Sequence, residues 1–249
     1  LGEVLDLPLQ PYTRYYYQIT VRSDAGEEAK SDIHYFETAK LSQPWRAKWI
    51  GVQGDATHPE FFKAFELRKD VQSARLYICG LGIFEASING QKAGNDLLAP
   101  FINDYEEHYQ YCTYDVTDLL KEQNELSVLL GDGWYRGHFG LGEPTHYDRP
   151  LALIAELRIV FSDGSVETIC TDESWQYRRS FTTLSDIYNG EAQDHTLPLG
   201  DWQSAVVINA LGKLCERYSP ALHYMESFPV KEVIHTPAGE TVLDFGQNF

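Results

Sequence analysis

Apolar and polar residues alternate along much of this chain with the period of two that half-buried strands require. In the first such stretch Tyr15, Tyr17, Ile19 and Val21 fall on one side, with Gln18 and Thr20 on the other. Further strands are predicted at 61–67, 73–79, 84–88, 109–116, 125–130, 151–161 and 166–171. Asn89-Gly90 suits a tight hairpin turn whose central residues both take positive φ, and Ser162-Asp163-Gly164 suits another reversal. The stretch from Ser73 to Gly90 reads as a hairpin-like unit that turns at Gly80-Leu81-Gly82. That glycine pair is no phosphate cradle, because no helix follows to offer its N-terminus. One helical turn is expected at 117–121, capped by Thr117 or Asp118, with Leu119 and Leu120 closing the mouth of the fold. No long stretch has the 3.6-residue period of an amphipathic helix. The pattern predicts an all-β protein, an antiparallel β-sandwich of the jelly-roll kind.

The chain divides into three parts. Ahead of the first strand, Leu9, Pro11 and then a tyrosine resemble the tyrosine corner of immunoglobulin-like sandwiches. With the turn at 23–26 and a closing strand at 34–38, residues 1–42 resemble the C-terminal half of a fibronectin type III-like domain. Residues 41–44 form a short polar joint, and the β-sandwich is expected over 43–225. Residues 226–249 read as strands opening a further β-rich domain. The chain starts at Leu1, and 241–245 reads as a strand in mid-course, so the expectation is a piece cut from a longer polypeptide.

Charge narrows the partners. With 37 acidic and 20 basic residues the formal net charge is −17, and no basic stripe exists to neutralise phosphates, which disfavours nucleic acid and anionic membrane. No apolar run approaches the ~20 residues of a membrane span, and no signal peptide is visible. Cys79, Cys112, Cys170 and Cys215 show no metal-ligand spacing, and the first three fall in apolar strands. They are expected as reduced thiols, which points to a cytoplasmic protein.

Two segments carry candidate chemistry. In the first, Trp134, Tyr135 and Arg136 sit between glycines and follow Asp132. Exposed rings there would stack on a sugar, with the charged groups supplying hydrogen bonds; the alternative is that the rings pack the loop onto the sandwich. In the second, Asp186, Tyr188, Asn189 and Glu191, with Asp194 and His195 beyond, offer closely spaced oxygens. These suit calcium, sugar hydroxyls, a structural turn or a domain interface, although the spacing is not that of an EF-hand.

Several blocks occur in a telling order: Trp49-Ile50-Gly51, SARLYIxGLGxFExxING from Ser73, TYDVTxLL from Thr113, GxGWYRG from Gly131, DIYNGE from Asp186 and VLDFGQNF from Val242. Together they resemble the N-terminal region of bacterial α-L-rhamnosidases of glycoside hydrolase family 78. The resemblance implies an accessory β-region of an inverting hydrolase that acts on carbohydrate. In such an enzyme an acid and a base lie roughly 6.5–9.5 Å apart on a separate α/α barrel. Those carboxylates are expected beyond Phe249, so no residue here is assigned a catalytic role, and no cofactor is implied. The downstream catalytic domain of the same chain is the expected partner. The other reading is a carbohydrate-binding module that recognises rhamnosylated glycans. A related sandwich binds rhamnose through calcium, with an Asp-Asp-Asn-type run before the strand ending in Asn-Gly. Here that place holds Gly80-Leu81-Gly82-Ile83-Phe84-Glu85, and only Glu85 and Asp132 are acidic nearby, so no metal site is assigned.

Overall fold

The computed structural model describes residues 6–54, 57–138, 149–210 and 212–248; Leu1 and Phe249, which mark the expected cut ends, lie outside them. The upstream part is a ribbon of four short strands: β1 (Arg14–Tyr17), β2 (Thr20–Arg22), β3 (Glu28–Lys30) and β4 (His34–Glu37). The Gln10 N–H donates to the Tyr15 hydroxyl at 2.7 Å, the bond that defines a tyrosine corner. The single strand expected at 15–21 is split in two. Tyr17 faces His34 and Thr20 faces Lys30, so one side advances three residues while the other advances four. Ser31 absorbs the extra residue by bonding Ile19 through its backbone and its hydroxyl.

The sandwich is built from β5 (Ile50–Gly51), β6 (Pro59–Glu66), β7 (Val71–Leu81), β8 (Ile83–Ile88), β9 (Gln91–Lys92), β10 (His108–Asp115), β11 (Gln123–Gly131) and β12 (Ala152–Phe161). It continues through β13 (Val166–Cys170), β14 (Gln176–Arg179), β15 (Thr182–Asp186), β16 (Gly190–Gln193), β17 (Gln203–Ser204), β18 (Val206–Val207) and β19 (Lys213–Glu216). One sheet has the order β18-β5-β12-β7-β10-β19, with β13 paired to β12; the facing sheet has the order β17-β14-β6-β11-β8-β9. Neighbouring strands are antiparallel except β10 and β19, which run parallel. Beyond the sandwich, β20 (Glu232–His235) and β21 (Thr241–Asp244) pair as an exposed ribbon.

Alternation sets the core. Leu76 and Ile78 of β7, Leu157 and Ile159 of β12, and Val128 and Leu130 of β11 are buried, as are Phe61 and Trp175. The fully buried Trp175 donates its indole N–H to the Cys170 carbonyl at 2.9 Å. Cys79 and Cys112 are buried free thiols, and Cys170 and Cys215 are half-buried.

Residues 73–90 do not form the expected hairpin. β7 belongs to one sheet and β8 to the other, so the chain at Gly80-Leu81-Gly82 crosses between layers instead of folding back beside itself. Gly82 has φ +120°, and a Cβ there would lie 2.3 Å from the Gly131 carbonyl oxygen, which leaves room only for glycine. At Asn89 and Gly90 the φ values are +53° and +75°, the pair a type I′ hairpin demands. The 3-10 turn Thr117–Leu119 is held by Asp115, whose Oδ1 accepts from the Thr117 backbone and hydroxyl, and not by a cap from Thr117 or Asp118.

The joint between ribbon and sandwich is tightly docked. Trp45 packs edge-on against Tyr111 at 5.3 Å, Trp49 against Tyr109 at 5.6 Å and Tyr12 against Tyr77 at 5.8 Å. Beneath them Lys40 and Glu156, both almost fully buried, form an ion pair, and the Glu156 carboxylate also accepts from the backbone of Arg46 and Ala47. The Lys40 ammonium lies 4.8 Å from the Trp45 ring centre, a cation–π contact in a desolvated setting. Arg75 adds a two-bond pair to Glu37 at 2.8 and 2.9 Å, which holds the Glu37 carboxyl below the usual range.

Candidate functional site

The two segments singled out in the sequence meet at one corner of the sandwich. After β11 the chain makes one turn of helix, α1 (Gly133–Arg136). Gly133 has φ +54°, and a Cβ there would meet Ile83, so the glycine lets the turn sit against β8. Tyr135 points inward, buried and 5.0 Å from the Tyr105 ring, and burial pushes its hydroxyl up to about 12. Trp134 is half-buried against Phe101 at 5.7 Å. Arg136 reaches back to Asp132 at 3.6 Å.

Asp186 joins the two segments. It ends β15, and its Oδ1 accepts the Tyr188 and Asn189 backbone N–H groups at 2.8 and 2.9 Å. Its Oδ2 accepts the His138 backbone N–H and lies 2.9 Å from His138 Nδ1. Burial pushes this carboxyl up, but the hydrogen bonds from His138, Asn189 and Tyr188 outweigh it and bring the pKa to about 2. Asp132 makes a second link: its backbone N–H donates to the Ser185 carbonyl, and its Oδ2 lies 3.0 Å from Nε2 of the buried His58. Sequence reasoning did not single out His58, whose partners are 74 and 124 residues away.

In the second segment Tyr188, Asn189 and Glu191 are exposed along the β15–β16 hairpin, while Asp186 is buried beneath it. Among the described residues no group of three or more His, Cys, Asp or Glu side chains is placed to hold a metal ion.

Beside this corner the outer face of the six-stranded sheet is hollowed. Register puts Arg178, Glu60, Leu129 and Glu85 in one row across β14, β6, β11 and β8, with Ser127 and Ser87 in the next. The β15–β16 hairpin and the segment after it rise over this face, leaving a cleft of about 300 Å³ whose wall includes Phe181, Gln193 and Leu199. An adjoining hollow of about 530 Å³ shares Glu85, Leu129 and Thr182 and includes Glu191. It is rimmed by Leu98, Leu222 and Tyr224.

Comparison with known proteins gives these features a family. A family model described as the α-L-rhamnosidase N-terminal domain matches residues 69–221. An α-L-rhamnosidase of Formosa agariphila is 27% identical over 96% of this chain and 30% of its own length. The native α-L-rhamnosidase of Aspergillus terreus is 31% identical and superposes with a TM-score of 0.82 over 97% of this chain and 31% of that one. The α-L-rhamnosidase from Dictyoglumus thermophilum is 29% identical, with a TM-score of 0.79 over 97% and 30%. The chain thus spans about a third of the length of the proteins it matches. Their shared all-β fold and the match over most of the sandwich carry one conclusion: this chain belongs to the α-L-rhamnosidase N-terminal domain family.

Proposed function

We propose that the protein carrying this chain hydrolyses terminal α-L-rhamnosyl residues from glycosides with inversion, and that this chain is its accessory β-region. The supporting observation is the agreement in fold with the Aspergillus terreus rhamnosidase over 97% of the chain at 31% identity. The chain contributes no catalytic group in this reading. Its part is to hold the catalytic domain, and a suitable surface exists where the sandwich ends: Leu98, Leu222, Tyr224 and Met225 are 45, 42, 83 and 90% exposed. Such an apolar rim suits a partner domain better than water. The test is proton NMR of the longer protein acting on an aryl α-L-rhamnoside. The β-anomer of L-rhamnose should appear first; the α-anomer first, or no release, overturns the proposal.

A second reading, a carbohydrate-binding module for rhamnosylated glycans, is favoured by the polar cleft on the six-stranded sheet. Trp134 is less suited to it, since its ring is half-buried on Phe101.

A further inference from the structure

The cleft on the outer face of the six-stranded sheet is lined by paired charges, hydroxyl groups and apolar side chains. The molecule carries a formal charge of −17, yet the carboxylates in the cleft are matched by cations. Arg178 grips Glu60 through Nε and Nη2 at 2.8 and 2.7 Å, and Lys92 lies 2.8 Å from Glu85. The Trp202 ring lies 4.3 Å from the Arg178 guanidinium carbon and holds the pair in place. Ser127 donates to Glu60 Oε1 at 3.0 Å. The Glu60–Arg178 pair thus presents a fixed acceptor beside a fixed donor. That is the arrangement a hydroxyl group matches, because it both donates and accepts. Leu129 lies in the same row of the sheet, between Glu60 and Glu85, and the cleft is also lined by Leu199 and Phe181, whose ring is braced by His195 at 4.6 Å between centres. Hydroxyl-matching groups next to apolar side chains suit a ring with a polar edge and an apolar face. The volume of about 300 Å³ is at the small end for ligand clefts.

We propose that this cleft is a metal-independent subsite for one neutral sugar ring. The edge hydroxyls meet Glu60, Arg178 and Ser127, and the apolar face lies on Phe181 and Leu129. The proposal rests on the carbohydrate-module reading and deepens it by moving the site away from Trp134. A cation has no place in it, since Glu60 and Glu85 are already committed to Arg178 and Lys92. An anionic sugar would find no free cation in the cleft, since Arg178 and Lys92 are already paired with Glu60 and Glu85, and is disfavoured on that ground.

The test is a nitrogen–proton shift titration of the 249-residue chain with methyl α-L-rhamnopyranoside, methyl α-D-glucopyranoside and D-glucuronate, each with calcium and with EDTA. Saturable binding of a neutral glycoside that EDTA leaves unchanged is expected. Phe181→Ala should weaken it at least tenfold. Ser87→Tyr, which fills the cleft while keeping its hydrogen bonds, should abolish it without lowering the thermal midpoint. No neutral-sugar binding at tens of millimolar overturns the subsite. So does binding that requires calcium, or binding that survives Ser87→Tyr but is lost in Trp134→Ala. The hydrolytic activity of the longer protein is read separately, so failure of the subsite and failure of the enzymatic reading are distinguishable.

Discussion

Asp186 shows what one carboxylate does when a turn closes around it. Its four hydrogen bonds, from Tyr188, Asn189 and twice from His138, hold the β15–β16 turn and His138, two residues beyond α1, in one arrangement. Its folded pKa of about 2 lies below the ordinary value of 3.8. A carboxyl depressed on folding stabilises the protein above its unfolded pKa, and that contribution is lost as pH falls through the folded value. Asp186 should therefore contribute about 2 kcal/mol at neutral pH that fades between roughly pH 4 and pH 2. Asp186→Asn is expected to lower stability in urea at pH 7 by that order and to flatten this part of the pH profile; an unchanged acid limb contradicts the assignment. Lys40 makes a harsher case. Lys40→Met strands the buried Glu156 charge, and such a loss costs about 3–5 kcal/mol. Limited proteolysis should then cut within residues 40–46, which the intact clamp protects. Equal protease resistance in the variant would show that the aromatic contacts alone hold the joint.

Among the elements, the crossing from β7 to β8 decides the architecture. Gly82→Ala should be far worse than Gly164→Ala, although both residues have positive φ, +120° and +79°. A Cβ at Gly164 meets nothing within 4 Å, so only the backbone preference of about 1 kcal/mol is at stake. A Cβ at Gly82 runs into the Gly131 carbonyl, and the β8–β11 ladder, which pairs Ile83 with Gly131, holds the two backbones together. Thermal midpoints of the two variants decide the point: similar values would mean that the crossing is not tightly packed. The same crossing marks the limit of what the sequence discloses. Alternation and turn chemistry place the seven sandwich strands that they predict to within two residues, because they are local, while the short strands β14–β19 escape them. Whether two consecutive strands pair with each other or join opposite layers depends on contacts such as Gly82 with Gly131, 49 residues apart, which no local pattern encodes. The joint at 41–44 read as a polar linker for the same reason: Glu156, the residue that seats it, is more than a hundred positions away. The site followed suit. The GWYRG and DIYNGE segments were visible as motifs, but their union through Asp186 and His138, and the row of Arg178, Glu60 and Leu129, appear only once strands are in register.

At the scale of the whole molecule, the apolar surface is divided between a closed core and two exposed ribbons. β20 and β21 place Val233 opposite Leu243 on one face and Ile234 opposite Val242 on the other, all exposed. Tyr224 and Met225, on the rim of the sandwich, are 83 and 90% exposed. If the rim seats a partner domain, Tyr224→Ser with Met225→Ser should change the stability of this chain by less than about 0.5 kcal/mol. The same pair should lower the thermal midpoint of the longer protein. Destabilisation of the chain itself would mean that the rim belongs to the sandwich and not to an interface. Labour divided between this region and the rest of the protein is open to a side-by-side assay. The longer protein and the 249-residue chain are given the same aryl α-L-rhamnoside at equal molar concentration. Steady release of L-rhamnose by the longer protein and none by the chain is expected; turnover by the chain itself, or a longer protein inert toward α-L-rhamnosides, would overturn that division.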